Sequence, residues 1–165
     1  MAGKIYRYLA DDHARLDDAL RRATRDPDHI DRSAYAEFRQ GLLRHIGMEE
    51  KILLPTARSA NVAKPLTSAA KLHLDHQALA ALLVLTPTDV ILAAIRTILA
   101  SHNPVEEGPG GAYEQCERLL GSSADEILTR LQNALPVPVA SHVDNFTALE
   151  SARRALRRAG YNVDV

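Results

Sequence analysis

The chain has 165 residues, of which 46% are hydrophobic, and a formal net charge of −1. That length supports one domain with its own core, the composition excludes a disordered chain, and the balanced charge offers no basic field for nucleic acid. The single cysteine, Cys116, excludes an internal disulfide and CxxC chemistry and fits a reducing compartment.

No long apolar run precedes Asp11 and Asp12, and the longest one, residues 78–85, is too short to span a bilayer. A cytoplasmic protein without a membrane partner is expected. Helical periodicity dominates from end to end, and no stretch alternates with period two. Helix A runs from about Ala2 to Arg25 and stops at Asp26-Pro27-Asp28. Steps of three and four along it give Ile5, Leu9, His13, Leu16, Leu20 and Ala23.

Helix B starts near Ser33, with Asp31 or Arg32-Ser33 as its cap region, and runs to about Arg58. Its stripe is Tyr35, Phe38, Leu42, His45, Glu49, Ile52 and Thr56. A short loop, Ser59 to Lys64, leads to helix C, which begins near Pro65 and stops before Pro87. Its stripe is Leu66, Ala69, His73, His76, Ala80 and Leu83. Helix D starts at Thr88 or Asp89 and presents Ile91, Ile95, Ile98, His102, then Val105 or Glu106.

Pro104 is expected to interrupt helix D, and Gly108-Pro109-Gly110-Gly111 to break it. These residues predict a looser segment around Glu106, with Glu107 as its rival for the same role. Helical pieces follow from Tyr113 to Leu120 and from Ala124 to Leu135. Leu135-Pro136-Val137-Pro138-Val139 is an extended linker, and a last amphipathic helix runs from about Phe146 to Ala159, stopped by Gly160. The expected fold is all-α: an up-down-up-down four-helix bundle over residues 1–135. Residues 136–165 form a linker and a C-terminal helix packed on it.

Five histidines thus occupy positions where a bundle places Leu or Ile. His45 and Glu49 share a helix face four residues apart, and His102 and Glu106 repeat the spacing. Unpaired imidazoles and carboxylates on an interior stripe each cost several kcal/mol, roughly. A buried metal ion satisfies them together. Two HxxxE pairs with additional histidines suit a dinuclear non-haem site better than a mononuclear zinc site. The candidate ligands are His13, His45, Glu49, His73, His76, His102 and Glu106. Glu50 and Glu107 are expected in solvent or behind the ligands, and Cys116 as a small buried residue.

Four segments, in this order and spacing, resemble the hemerythrin-like family, the bacterial HHE cation-binding domains. They are Asp11-Asp12-His13; His45-Ile46-Gly47-Met48-Glu49-Glu50 with Leu53-Leu54-Pro55; His76-Gln77-Ala78-Leu79; and His102-Asn103-Pro104-Val105-Glu106-Glu107. The resemblance covers roughly residues 5 to 120. It implies a bundle holding two iron ions, bridged by carboxylates and an oxo or hydroxo group. It also implies His13, His45 and His102 as terminal ligands, Glu49 and Glu106 as bridges, and His76 as the helix-C histidine. Zinc and manganese are the alternative metals. Ferritin-like di-iron proteins need Glu-x-x-His pairs, but Ala10, Leu42, His73 and Leu99 stand three residues before the histidines, which excludes that class. The implied function is action on, or sensing of, dioxygen, nitric oxide or peroxide. A di-iron oxidase or peroxidase, and an interaction module around a structural zinc, are the alternatives.

Overall fold

Every regular element is helical among the residues described by this computed structural model, 3–63 and 66–165. The elements are α1 (Lys4–Ala23), α2 (Arg32–Met48), a π-helical turn (Glu49–Leu53), α3 (Leu54–Ala60), α4 (Ala69–Val84) and α5 (Asp89–Glu107). After them come α6 (Ala112–Leu120), a 3-10 turn (Gly121–Ser123), α7 (Ala124–Gln132) and α8 (Phe146–Ala159). The expected starts at Ala2 and Pro65 lie outside the described residues. No helix among the described residues is long and apolar enough to cross a membrane.

Local chemistry sets most boundaries. The Asp31 carboxylate accepts the N–H groups of Ser33 and Ala34 at 2.9 and 3.0 Å and caps α2. The Thr88 hydroxyl caps α5 through the Ile91 N–H, and Asn145 caps α8 through the Ala148 N–H. Gly3 brings no capping side chain to α1. There the Glu117 carboxylate, from α6, accepts the N–H groups of Lys4, Ile5 and Tyr6 at 3.0–3.2 Å. A negative charge on the positive end of the helix stabilises it and docks α6 on α1.

The structure departs from the sequence expectation in three places. Helix B contains a π turn, in which the Leu54 N–H reaches back to the Glu49 carbonyl. Pro55 has no N–H for the Lys51 carbonyl and its ring crowds that group, so a widened turn relieves the clash. Pro104 does not interrupt the last bundle helix, because α5 continues through it to Glu107. It stands in the final turn, where a lost backbone bond costs little cooperativity, and the break falls at Gly108 as expected. In helix C, the buried residues are Leu72, Asp75, His76, Ala78, Leu79, Leu82 and Leu83, so the interior arc lies to the other side of His76 from the one expected. Its sequence is apolar over most of its circumference, and α4 packs against both α5 and α8. His73, about 60° from His76 on the opposite side, is therefore exposed.

Two apolar clusters enclose a polar layer. One gathers Leu16, Phe38, Leu42, Leu79, Ile95, Ile98 and Leu156. The other gathers Ile5, Leu9, Met48, Leu53, Tyr113, Cys116 and Leu131. Between Leu9 and Leu16 on α1 lies His13, and between Leu42 and Met48 on α2 lies His45. The α8 helix buries Ala152, Leu156 and Ala159 against the first cluster. The connecting residues 133–145 are anchored by Arg44 Nε on the Ala134 carbonyl, by Arg39 Nη1 on the Ala140 carbonyl and by the Val143 N–H on the Val84 carbonyl.

Candidate metal centre

His13, His45, Glu49, His76, His102 and Glu106 are all buried, with 1–8% of each exposed. They come from α1, α2, the π turn, α4 and α5. The His13 and His45 rings pair at 4.4 Å between centroids, and those of His76 and His102 at 4.8 Å. The two glutamates stand between these pairs. Glu49 turns Oε1 to His45 Nε2 at 3.4 Å and Oε2 to His76 Nε2 at 3.1 Å. Glu106 turns Oε2 to His13 Nε2 at 3.4 Å and Oε1 to His102 Nε2 at 3.1 Å. Each carboxylate therefore offers one oxygen to each histidine pair.

Two groups of donor atoms result, each within 4.8 Å of one another: Glu49, His76, His102 and Glu106, and His13, His45 and Glu106. Three of the buried atoms, Glu49 Oε2, His76 Nε2 and Glu106 Oε1, make no hydrogen bond despite their proximity. Such atoms are costly to bury unless another partner satisfies them. Imidazole nitrogens and carboxylate oxygens converging on two points suit cations of the iron, zinc or manganese type.

Every histidine in the layer is backed by a carboxylate. His45 Nδ1 lies 2.9 Å from Asp12, His76 Nδ1 lies 2.7 Å from Glu50, and His102 Nδ1 lies 3.3 Å from Asp75. His13 Nδ1 pairs closely with Glu107. These contacts close a ring around the helices: α1 backs the α2 histidine, the π turn backs α4, α4 backs α5, and α5 backs α1. Occupying Nδ1 leaves Nε2 as the atom presented to the centre and fixes each ring plane. Adjacent residues divide the work in four pairs: Asp12-His13, Glu49-Glu50, Asp75-His76 and Glu106-Glu107. In each, one side chain faces the centre and its neighbour supports the histidine of another segment.

The electrostatics follow from this packing. Burial disfavours the charged form of His45, but the Glu49 charge and the Asp12 hydrogen bond outweigh it and raise the pKa to about 10. By the same balance His76, facing Glu106, Glu49 and Glu50, is pushed up to about 12, and His102, facing Asp75 and Glu106, to about 9. Burial opposes ionisation of Glu49, yet His45 and His76 hold it well below the usual carboxylate range. Glu50 is lowered chiefly by its hydrogen bond to His76. Protons on these imidazoles occupy the positions that cations would compete for.

His73 is not in this assembly. It is largely exposed, with Nδ1 3.0 Å from Glu50 and Nε2 2.8 Å from Gln77. Glu50 and Glu107 act behind the histidines, not free in solvent. Sequence reasoning passed over Asp75 and Tyr113. Asp75 carries a charge in the middle of an apolar helix, a signal in itself. Tyr113, Cys116 and Leu120 continue an interior three–four stripe on α6, and a buried tyrosine needs a partner for its hydroxyl. The Tyr113 hydroxyl lies 2.6 Å from Glu49 Oε1 and 3.1 Å from Glu106 Oε2.

The chain has no match among curated proteins or solved structures. A family model, the hemerythrin HHE cation binding domain, matches residues 4–109, the span that contains all six grouped residues. By that match, the chain belongs to the hemerythrin HHE cation-binding domain family.

Proposed function

We propose that this protein holds two iron ions in the polar layer of an up-down-up-down bundle made by α1, α2, α4 and α5, and acts on dioxygen, nitric oxide or peroxide there. The observation that supports this best is the pair of two-faced carboxylates, each with one oxygen toward either histidine pair. In this reading His13 and His45 would serve one position and His76 and His102 the other; Glu106, which belongs to both groups of donors, and Glu49, with one oxygen toward His45 and one toward His76, would bridge them. Iron so held would supply one-electron chemistry toward small oxidants and diatomic ligands.

The chain's own residues do the rest. Asp12, Glu50, Asp75 and Glu107 orient the imidazoles and raise their basicity, which favours the higher oxidation state of a bound metal. The apolar clusters on both sides exclude water from the layer. His73 contributes from outside by holding Glu50, which backs His76.

The test is metal analysis after anaerobic reconstitution with ferrous iron and removal of excess. Two irons retained per folded chain are expected. A folded protein that retains none overturns the proposal, and a preparation that selects one colourless zinc supports the structural alternative instead.

A further inference from the structure

Tyr113 lies at the centre of one half of the site. Its hydroxyl oxygen is 2.6 Å from Glu49 Oε1, 3.1 Å from Glu106 Oε2, 3.2 Å from His45 Nε2 and 3.3 Å from His13 Nε2. The side chain is 1% exposed. A phenol donates one hydrogen bond and accepts at most two, so it does not answer four polar neighbours by hydrogen bonding alone.

These distances have a simple geometric meaning. Metal–ligand bonds of about 2.1 Å in an octahedron put neighbouring ligand atoms roughly 3 Å apart. Each vertex of an octahedron has four such neighbours. The phenol oxygen has four at 2.6–3.3 Å, and two further edges, His13 Nε2 to Glu106 Oε2 and His45 Nε2 to Glu49 Oε1, measure 3.4 Å. On the other side of the glutamates, no tyrosine hydroxyl among the described residues hydrogen-bonds His76 or His102: Tyr6 turns to the Glu107 carbonyl, Tyr8 to Met48, and Tyr161 to Lys71 and Ser101.

The backbone that delivers Tyr113 is built for that position. Gly108 to Gly111 reverse the chain within four residues, with Gly110 at φ +72°. A Cβ on Gly111 would stand 2.5 Å from the Glu106 carbonyl oxygen, so this close return excludes a side chain. Glu117, one turn beyond Tyr113, then fastens α6 to the start of α1. The Tyr6 ring packs edge-on against the Tyr113 ring with centroids 6.0 Å apart.

Resting on the two-metal reading above, we infer that Tyr113 is a protein ligand of the metal held by His13 and His45. The phenol O–H bond breaks on binding, the phenolate oxygen bonds the metal, and the proton passes to the buffer. That position then has five protein donors: His13, His45, Tyr113, Glu49 Oε1 and Glu106 Oε2. The other has four: His76, His102, Glu49 Oε2 and Glu106 Oε1. Small exogenous ligands are thereby directed to the His76–His102 side. A surface cavity lined by Glu50, Leu54, Pro55, Arg58, Leu66 and His73 includes the carboxylate that backs His76.

Ferric protein and its Tyr113→Phe variant test this by metal content, visible absorption and resonance Raman scattering. The wild type is expected to show a tyrosinate-to-iron(III) charge-transfer band with phenolate ring modes enhanced on excitation into it. Tyr113→Phe should lose the band and the modes while keeping iron at the His76–His102 side. Wild-type protein that retains iron but lacks the tyrosinate signature overturns the assignment and leaves the two-metal reading standing. So does a signature that survives in a folded Tyr113→Phe protein. Failure of the wild type to retain any iron overturns both. Should Tyr113→Phe not fold, the wild-type Raman spectrum alone decides.

Discussion

The two HxxxE motifs share a spacing and reach the same end by different backbones. Each places a glutamate with 1% exposure between the two histidine pairs. Beyond Glu49 the helix widens into a π turn and continues as α3, which brings Glu50 under His76. Beyond Glu106 the helix ends, and a glycine reversal returns α6 to the site, with Glu107 left against His13 and Tyr113 against both glutamates. The four-residue spacing sets which face a carboxylate occupies. The backbone that follows decides what else reaches the site.

The comparison is broken most severely at the bridges. Glu49→Ala and Glu106→Ala should each reduce loading from two irons per chain to one or none, because each removes an oxygen from both positions. Metal analysis on folded variants checks this. If one variant loads normally, that glutamate does not bridge and the two motifs are unequal.

A smaller effect is expected behind the histidines. Asp12→Asn, Glu50→Gln, Asp75→Asn and Glu107→Gln each keep shape but weaken the support of one imidazole, and should lower metal affinity by about 10- to 100-fold. Competition with a chelator measures it. Glu50→Gln and Asp75→Asn should weaken the His76–His102 position selectively, and Asp12→Asn and Glu107→Gln the His13–His45 position. An equal response of both positions to every variant would show that the ring acts as one unit.

Protons separate the metal-free and loaded states. Without metal, His45, His76 and His102 have folded values of about 10, 12 and 9 against an ordinary 6.5. A raised value stabilises the fold below 6.5, and that contribution falls as pH rises through the folded values. Lowered carboxylates such as Glu49 and Glu50 stabilise it above their ordinary 4.5, and this is lost in acid. Metal-free protein should therefore be most stable between about pH 4.5 and 6.5 and weaken above that. In loaded protein Nε2 carries metal instead of a proton, so these histidines should add stability up to about pH 6.5, where the unfolded chain's imidazoles lose their protons, and contribute no slope above it. Denaturant melts across pH 5–9 on both forms test whether the fall above pH 6.5 is confined to the metal-free form.

Much of this was legible in the chain. The stripes through His13, His45 and His102 emerged from apolar spacing because α1, α2 and α5 are polar on their outer faces. The α4 face was ambiguous because Leu72, Leu79, Leu82 and Leu83 leave little contrast around the helix, so His73 looked interior and Asp75 did not. The π turn is a local response to Pro55 four residues after Lys51, which a stripe read in fixed helical steps passes over, and the placement of Tyr113 depends on the long-range fit of α6 against α1, which periodicity does not encode. Gly108 to Gly111 were correctly a helix stop. Their close approach to Glu106, which returns the chain to the site, appears only in three dimensions.

The smallest effects distinguish the two motifs by their glycines. Gly47 lies inside His45–Glu49, and a Cβ there would meet only Val137 Cγ2 at 3.8 Å, an ordinary contact. Gly47→Ala should stabilise the fold by about 0.5–1 kcal/mol, since alanine has less backbone freedom to lose in a helix. Gly111, after the second motif, would place its Cβ 2.5 Å from the Glu106 carbonyl oxygen and 2.8 Å from that of Gly108. Both obstacles are backbone and do not swing aside. Gly111→Ala should destabilise by about 1–3 kcal/mol, the range for forced overpacking. It should also move Tyr113 and so weaken the His13–His45 position before the other. Urea melts of the two variants give the sign, and chelator competition gives the site affected. If Gly111→Ala is neutral in both measurements, the reversal has room to spare, and the close return to Glu106 is not what positions Tyr113.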